Sequence, residues 1–419
     1  MIHRVFIKLS KNENMLFFLV ALLSLLIAFV LSLFDFWKKI TEIGKYDFSI
    51  IYAILLECFL WFVVKGVCWY IARKEDERAK LTTDYDSIIS IYDEDSQKLF
   101  MSVSNKNEVD IRFPIVKVES LWDREITICD NKESHYGLPA NVMEHYDELI
   151  KAHRGSSVYN SNLIRVKRWG LQDNTFVMQT ERTTFYDSLV TNRAMDYVLK
   201  NGLTIRSLFE CGPSFVPFDQ SVLSNHLGFN GFIETKDHFI LLVRRKKSLS
   251  IGKCKWGDSF SATVKTGYAL EGGIFSLDGL YRSILNEIKD EIGLEKEELC
   301  GERSSEKVKF ITAYRDYLEG GKPQLCVYVK TTLNKKMLTK VIKGNNKIQH
   351  NHFTGTSYKP KAKTLTRTDM DWYDFVYVGD IKYRSKIYNN RIEVYDKVYP
   401  MLPSYSACIQ MLKEYLLNT

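Results

Sequence analysis

Several common functional signatures are missing from this 419-residue chain. No CxxC pair occurs, and the eight cysteines, at 58, 68, 129, 211, 254, 300, 326 and 408, show no metal-ligand spacing. A structural zinc site or a disulfide framework is therefore not expected, and a reducing, cytosolic setting is the simple reading. No Walker motif and no nucleophile elbow appears, which removes the P-loop and α/β-hydrolase chemistries. Internal repeats and low-complexity tracts are also absent. The letters HNH at His350-Asn351-His352 stand without a framework that would make them a nuclease or metal site. Net charge is only +7, too small for a dedicated DNA binder, yet favourable to anionic partners such as nucleotides, phosphates or anionic lipid. Hydrophobic residues make up 45%, which excludes wholesale disorder.

Two long apolar runs stand at the start. Residues 15–34, MLFFLVALLSLLIAFVLSLF, carry no charge over twenty residues, the length that spans a hydrocarbon core of about 30 Å. A signal peptide would have a shorter apolar region and an A-x-A-like cleavage site. Residues 48–71 are again apolar and aromatic, closing on Trp69 and Tyr70, after a polar turn at 35–47. The expectation is a two-helix transmembrane hairpin over residues 1–74. Its flanks carry Arg4, Lys8, Lys11, Arg73, Lys74, Arg78 and Lys80, against Lys38, Lys39 and Lys45 in the hairpin turn. Seven against three places both termini in the cytoplasm of a two-pass inner-membrane protein. Glu57 and Lys65 lie within the second run, about 80° apart around a helix. They are read either as a packing pair, with Lys65 snorkelling to the interface, or as the polar lining of a pore built from several copies.

Residues 75–226 read as an α+β region with no motif that carries chemistry. Strands are expected near 111–121 and 175–186, and helices near 141–152 and 189–209. The pattern sharpens over 227–419. Residues 229–245 read as two strands about a Lys236-Asp237 turn, and 324–330 and 372–378 as strong strands. Between these last two, 335–367 holds nine Lys/Arg and no Asp or Glu. It is read as a solvated loop, with contact to a phosphate ligand as the alternative. A closing helix is expected at 402–418.

The informative stretch is 272–294. A glycine loop leads into a helix expected from about Asp278, its N-cap, to Ile292, with Gly293 at the C-terminal stop. Leu280, Ile284, Leu285, Ile288 and Ile292 form its apolar stripe. Glu287, Asp290 and Glu291 stand at i, i+3 and i+4, which puts three carboxylates on one face. Oxygen ligands at this density suit Mg²⁺ or Mn²⁺, which in turn hold phosphates; the alternative is an exposed acidic face beside lysines. The spacing resembles the Nudix box: glycine, five residues, Glu, seven residues, then Arg-Glu-aliphatic-x-Glu-Glu-x-Gly-aliphatic. Gly272, Glu287, Ile288, Glu291, Gly293 and Leu294 match in type, whereas Asp278, Asn286 and Asp290 depart from it. The box covers 23 residues and the fold resemblance about 227–400.

That resemblance implies an α/β/α sandwich with a mixed sheet over 227–419, so the whole chain is expected to be α+β. It implies metal binding by Glu287, Asp290, Glu291 and the carbonyl of Gly272, with Glu287 or Glu291 as catalytic base. In the family, an arginine at the Asn286 position orients the neighbouring glutamate, and asparagine cannot supply its charge. Arg244 and Arg245, at a strand end, are candidates for phosphate contacts or an ordinary basic strand end. Two membrane helices joined to such a domain resemble the two-transmembrane Nudix effectors of bacterial cyclic-oligonucleotide antiphage signalling (CBASS). This resemblance implies a domain that senses a cyclic nucleotide and membrane helices that oligomerise and disrupt the bilayer. The alternatives are a membrane-anchored, Mg²⁺-dependent hydrolase of nucleoside diphosphate derivatives, and a scaffold that binds a protein partner.

Overall fold

The computed structural model describes residues 58–67, 70, 81–105, 110–153, 160–245, 252, 254–352 and 370–419. The chain divides into two compact units, Met1–Glu77 and Arg78–Thr419.

The first unit corrects the membrane expectation. Among the described residues, no helix is long and apolar enough to cross a membrane. The same finding overturns the two-pass inner-membrane placement. Residues 58–67 are helical. The run at 15–34 and Glu57 lie outside the described residues. Lys65 is exposed, with its ammonium 5.5 Å from the Trp61 ring centroid one helical turn back.

The second unit is organised by a mixed sheet. Its path begins with β1 (Phe100–Val103) and β2 (Ile111–Ser120), which follow an Asp84-capped helix, Tyr85–Ser90. Next to them in the sheet lie β12 (Val308–Asp316) and β13 (Lys322–Lys330), then β6 (Gly228–Glu234), β7 (Phe239–Arg245) and β14 (Met370–Tyr377). Short strands β8 (Trp256–Gly257) and β9 (Phe260–Thr263) pair with β7 and β6. β13 runs parallel to β6, whereas its other neighbour β12 is antiparallel. Strands from before residue 226 thus complete the sheet that the later residues begin.

Alternation along β13 explains why helices cover both faces. Leu325, Val327 and Val329 enter one apolar cluster; Cys326 and Tyr328 enter the other. On the first face lies α1 (Leu277–Glu291), and on the second α3 (Pro403–Asn418), giving helix, sheet and helix in layers. The basic stretch expected as a loop begins instead with α2 (Lys335–His352), anchored by buried Leu338 and Ile342. The apolar spacing of these two side chains outweighs the local charge.

A second, three-stranded sheet has the order β3 (Glu125–His135), β5 (Thr175–Thr184), β4 (Asn162–Gln172). Ile164, Val166, Phe176 and Met178 from it join the apolar cluster of α1. The 189–209 segment is not one helix. Phe185–Val190 and Ile205–Phe209 are separate, each begun by a threonine capping box at Thr184 and Thr204. The remaining elements are the hairpin β10 (Leu270–Glu271) and β11 (Ile274–Phe275), and a small sheet of β15 (Ser385–Tyr388), β16 (Arg391–Val394) and β17 (Lys397–Pro400).

Candidate functional site

The 272–294 stretch is a loop followed by a helix. Gly272 and Gly273 close the β10–β11 hairpin with φ of +57° and +81°. A two-residue turn with both positions left-handed strongly favours glycine. The helix cap lies two residues earlier than expected. Its N-cap is Ser276, whose hydroxyl accepts from Gly279 N at 3.2 Å, and Asp278 lies in the first turn. Serine wins the cap because its extended backbone aims the hydroxyl at the helix; Asp278 still faces the positive helix end. Gly293, with φ of +91°, ends the helix, donating to the carbonyls of Ile288 (3.3 Å) and Lys289 (3.0 Å). Leu280, Ile284, Ile288 and Ile292 are fully buried, and Leu285 partly. Each such side chain contributes about 1.5–3 kcal/mol on burial.

That burial carries the acidic face inward. Glu287 is 0% exposed and Asp290 4%, with Glu291 half-buried. Buried carboxylates require partners, and one short segment supplies them. Lys265 Nζ lies 2.5 Å from Glu287 Oε1. The Tyr268 hydroxyl donates to Asp290 Oδ2. Ser261 N donates to Glu291 Oε2 at 3.1 Å. Arg282 ties α1 to the same segment, donating to Tyr268 O (3.0 Å) and Glu271 Oε2 (2.9 Å). Asn286 turns its amide onto its own helix, donating to Arg282 O at 2.9 Å.

The two arginines at the end of β7 part company. Arg245 Nη1 donates to Ser261 Oγ at 3.4 Å, and its guanidinium lies 6.0 Å from the Tyr405 ring. Arg244 Nε donates to Cys254 O at 3.4 Å. Arg245 and the three acids therefore border one segment, 258–268. Asp258 at its start is a member that sequence reasoning missed, since no motif marks it. Burial pushes its carboxyl well above the usual range; Cys408 and Glu291 add to this and Arg245 opposes it.

Gly272 stands with a different group. The Gly273 carbonyl accepts from Arg182 Nη2 at 2.9 Å, and Phe275 N donates to Asp130 Oδ2 at 2.9 Å. The second sheet thus grips the hairpin. Among the described residues, no group of three His, Cys, Asp or Glu side chains converges to hold a metal ion. Lys265, Tyr268 and Ser261 N each engage one oxygen of one box acid.

No family model matches the sequence, and no curated protein matches it. Among solved structures, the chain is similar to DR0079 from Deinococcus radiodurans, at 10% identity over 37% of this chain and 68% of that one, with a TM-score of 0.22. It is also similar to a MutT protein from Methanosarcina mazei Go1, at 13% identity over 45% of this chain and 94% of that one, with a TM-score of 0.23. Likeness at this level says nothing of what this chain binds.

Proposed function

We propose that the 78–419 unit is a Nudix-type module that binds a phosphate-rich nucleotide as a signal, rather than consuming it. The observation that carries this reading is the glycine hairpin running into a capped helix with three acids on one face, set against a mixed sheet. The loss of charge at Asn286 supports receiving over hydrolysis. Its amide is spent on Arg282 O, so it does not orient Glu287 as an arginine would. Cyclic di- and trinucleotides are the ligand class in view. Isothermal titration of the full chain against them tests the reading; heat from at least one is expected, and none from any counts against it.

A second reading keeps the box as a Mg²⁺-dependent hydrolase of nucleoside diphosphate derivatives. The presence of Glu287, Asp290 and Glu291 together favours it. Cleavage of dinucleotides and nucleotide sugars into two phosphomonoesters, lost in Glu287→Gln, would support this alternative. Equal background in the two proteins would remove it.

A further inference from the structure

The acidic face of α1 already holds a cation of the chain's own. Glu287 is completely buried, and the ammonium of Lys265 meets its carboxylate at 2.5 Å with only 21% of the lysine side chain exposed. This lysine stands outside the 272–294 stretch, on the turn that follows β9. Its backbone is fixed from the second sheet. Ile164 N donates to Val264 O at 3.0 Å, and Thr266 Oγ1 to Asn162 O at 3.2 Å. Between them, Leu163 and Lys265 form an antiparallel bridge. The ring of Tyr268 lies 5.8 Å from the ammonium, and its hydroxyl holds Asp290. One segment, bridged to β4, therefore engages two of the three acids.

We propose that Lys265 is the permanent counter-ion of this face, so that the face takes up no divalent metal while Lys265 is in place. The inference rests on the phosphate-module reading of the same element and deepens it, making ligand recognition independent of Mg²⁺ or Mn²⁺. A divalent ion at Glu287 would have to displace the Lys265 ammonium, or share the carboxylate with it against charge repulsion. With Lys265 shortened to an uncharged side chain, the buried Glu287 carboxylate loses this cation, and a carboxylate is the kind of oxygen donor that hard divalent ions prefer, while Asp290 and Glu291 keep their bonds from Tyr268 and Ser261 N. The residues 81–226 then have a role: they hold the cation in place.

Manganese titration of the full chain, read by the free-Mn²⁺ electron paramagnetic resonance signal, tests this without any nucleotide. Failure to bind nucleotides and failure here are thus separate results. Wild type is expected to leave the free signal undiminished beyond weak surface binding. Lys265→Met is expected to gain one Mn²⁺ per chain, roughly tenfold tighter or more. Lys265→Arg should behave as wild type, and adding Glu287→Gln to Lys265→Met should abolish the gain. Stoichiometric Mn²⁺ uptake by wild type that disappears in Glu287→Gln overturns the proposal. So does a folded Lys265→Met that takes up none. Should Lys265→Met fail to fold by circular dichroism, the comparison of wild type with Glu287→Gln still decides.

Discussion

Asp130 accepts both arms of the Arg182 guanidinium at 2.7 Å, from β3 to the neighbouring β5, with side chains only 2% and 7% exposed. The same pair holds the β10–β11 hairpin, through Gly273 O and Phe275 N. Burial raises the Asp130 carboxyl, and the bonds from Arg182, Phe275 N and Thr180 outweigh it, so the group ends below its ordinary value. A bidentate buried pair of this kind gives geometry more than stability, and it is costly to break.

Arg182→Ala leaves Asp130 buried without its cation. The expected loss is about 3–5 kcal/mol of unfolding free energy, read from urea midpoints. Amide exchange over 270–275 should accelerate first, because the hairpin loses the Arg182 bond to Gly273 O and its other anchor, Asp130, loses its cation. Unchanged exchange there would show that the hairpin is held by something else.

Two glycines around α1 separate packing from backbone strain. A Cβ at Gly279 would run into the Ala269 carbonyl, which is backbone and cannot swing aside. Gly279→Ala is expected to cost about 1–3 kcal/mol or more and to push α1 off the 266–269 turn. At Gly272 the space is open, and only its φ of +57° resists a side chain. Gly272→Ala should cost about 1 kcal/mol. Equal losses at the two sites would contradict this account.

Tyr268→Phe removes the hydroxyl that donates to buried Asp290. The expected cost is about 1–3 kcal/mol, the loss of a bond to a charged, desolvated group. Thermal unfolding measures it, and a neutral result would show that Asp290 is satisfied from elsewhere.

Stability should depend on pH through two buried groups with opposite signs. Burial pushes Glu210 up to about 7 from 4.5, against the pull of Arg315 and Arg206. Its folded value exceeds the unfolded one, so its contribution is complete below about pH 4.5 and is lost as pH rises through 7. Glu210→Gln should flatten that fall, by roughly 3 kcal/mol at most. His153 is the reverse case. Burial, helped by Arg193, lowers it to about 4 from 6.5. Its contribution is present above pH 6.5 and lost as pH falls towards 4. His153→Gln retains a donor for the Leu189 carbonyl, now met by Nε2 at 3.0 Å, and should remove that acid-side loss. Urea midpoints from pH 4 to 8 would show whether either slope is absent.

Sequence alone determined what depends on local spacing. The glycine loop, the α1 stripe, the stop at Gly293 and the strands at 111–120, 175–184 and 322–330 follow from periodicity and backbone preference over a few residues. Helix α2 escaped because two buried apolar positions decided a stretch whose charge suggested a loop. The apolar run at 48–71 matched the composition of a membrane span, but among the described residues no helix is long and apolar enough to cross a membrane. Tertiary structure alone decided which cation meets Glu287. Lys265 is 22 residues away from it, Asp130 lies 145 residues from Phe275, and no local pattern joins either pair. Side-chain charge is written in the sequence; the company it keeps is set by how β4 and β3 close over the α1 face, a matter of packing between distant segments.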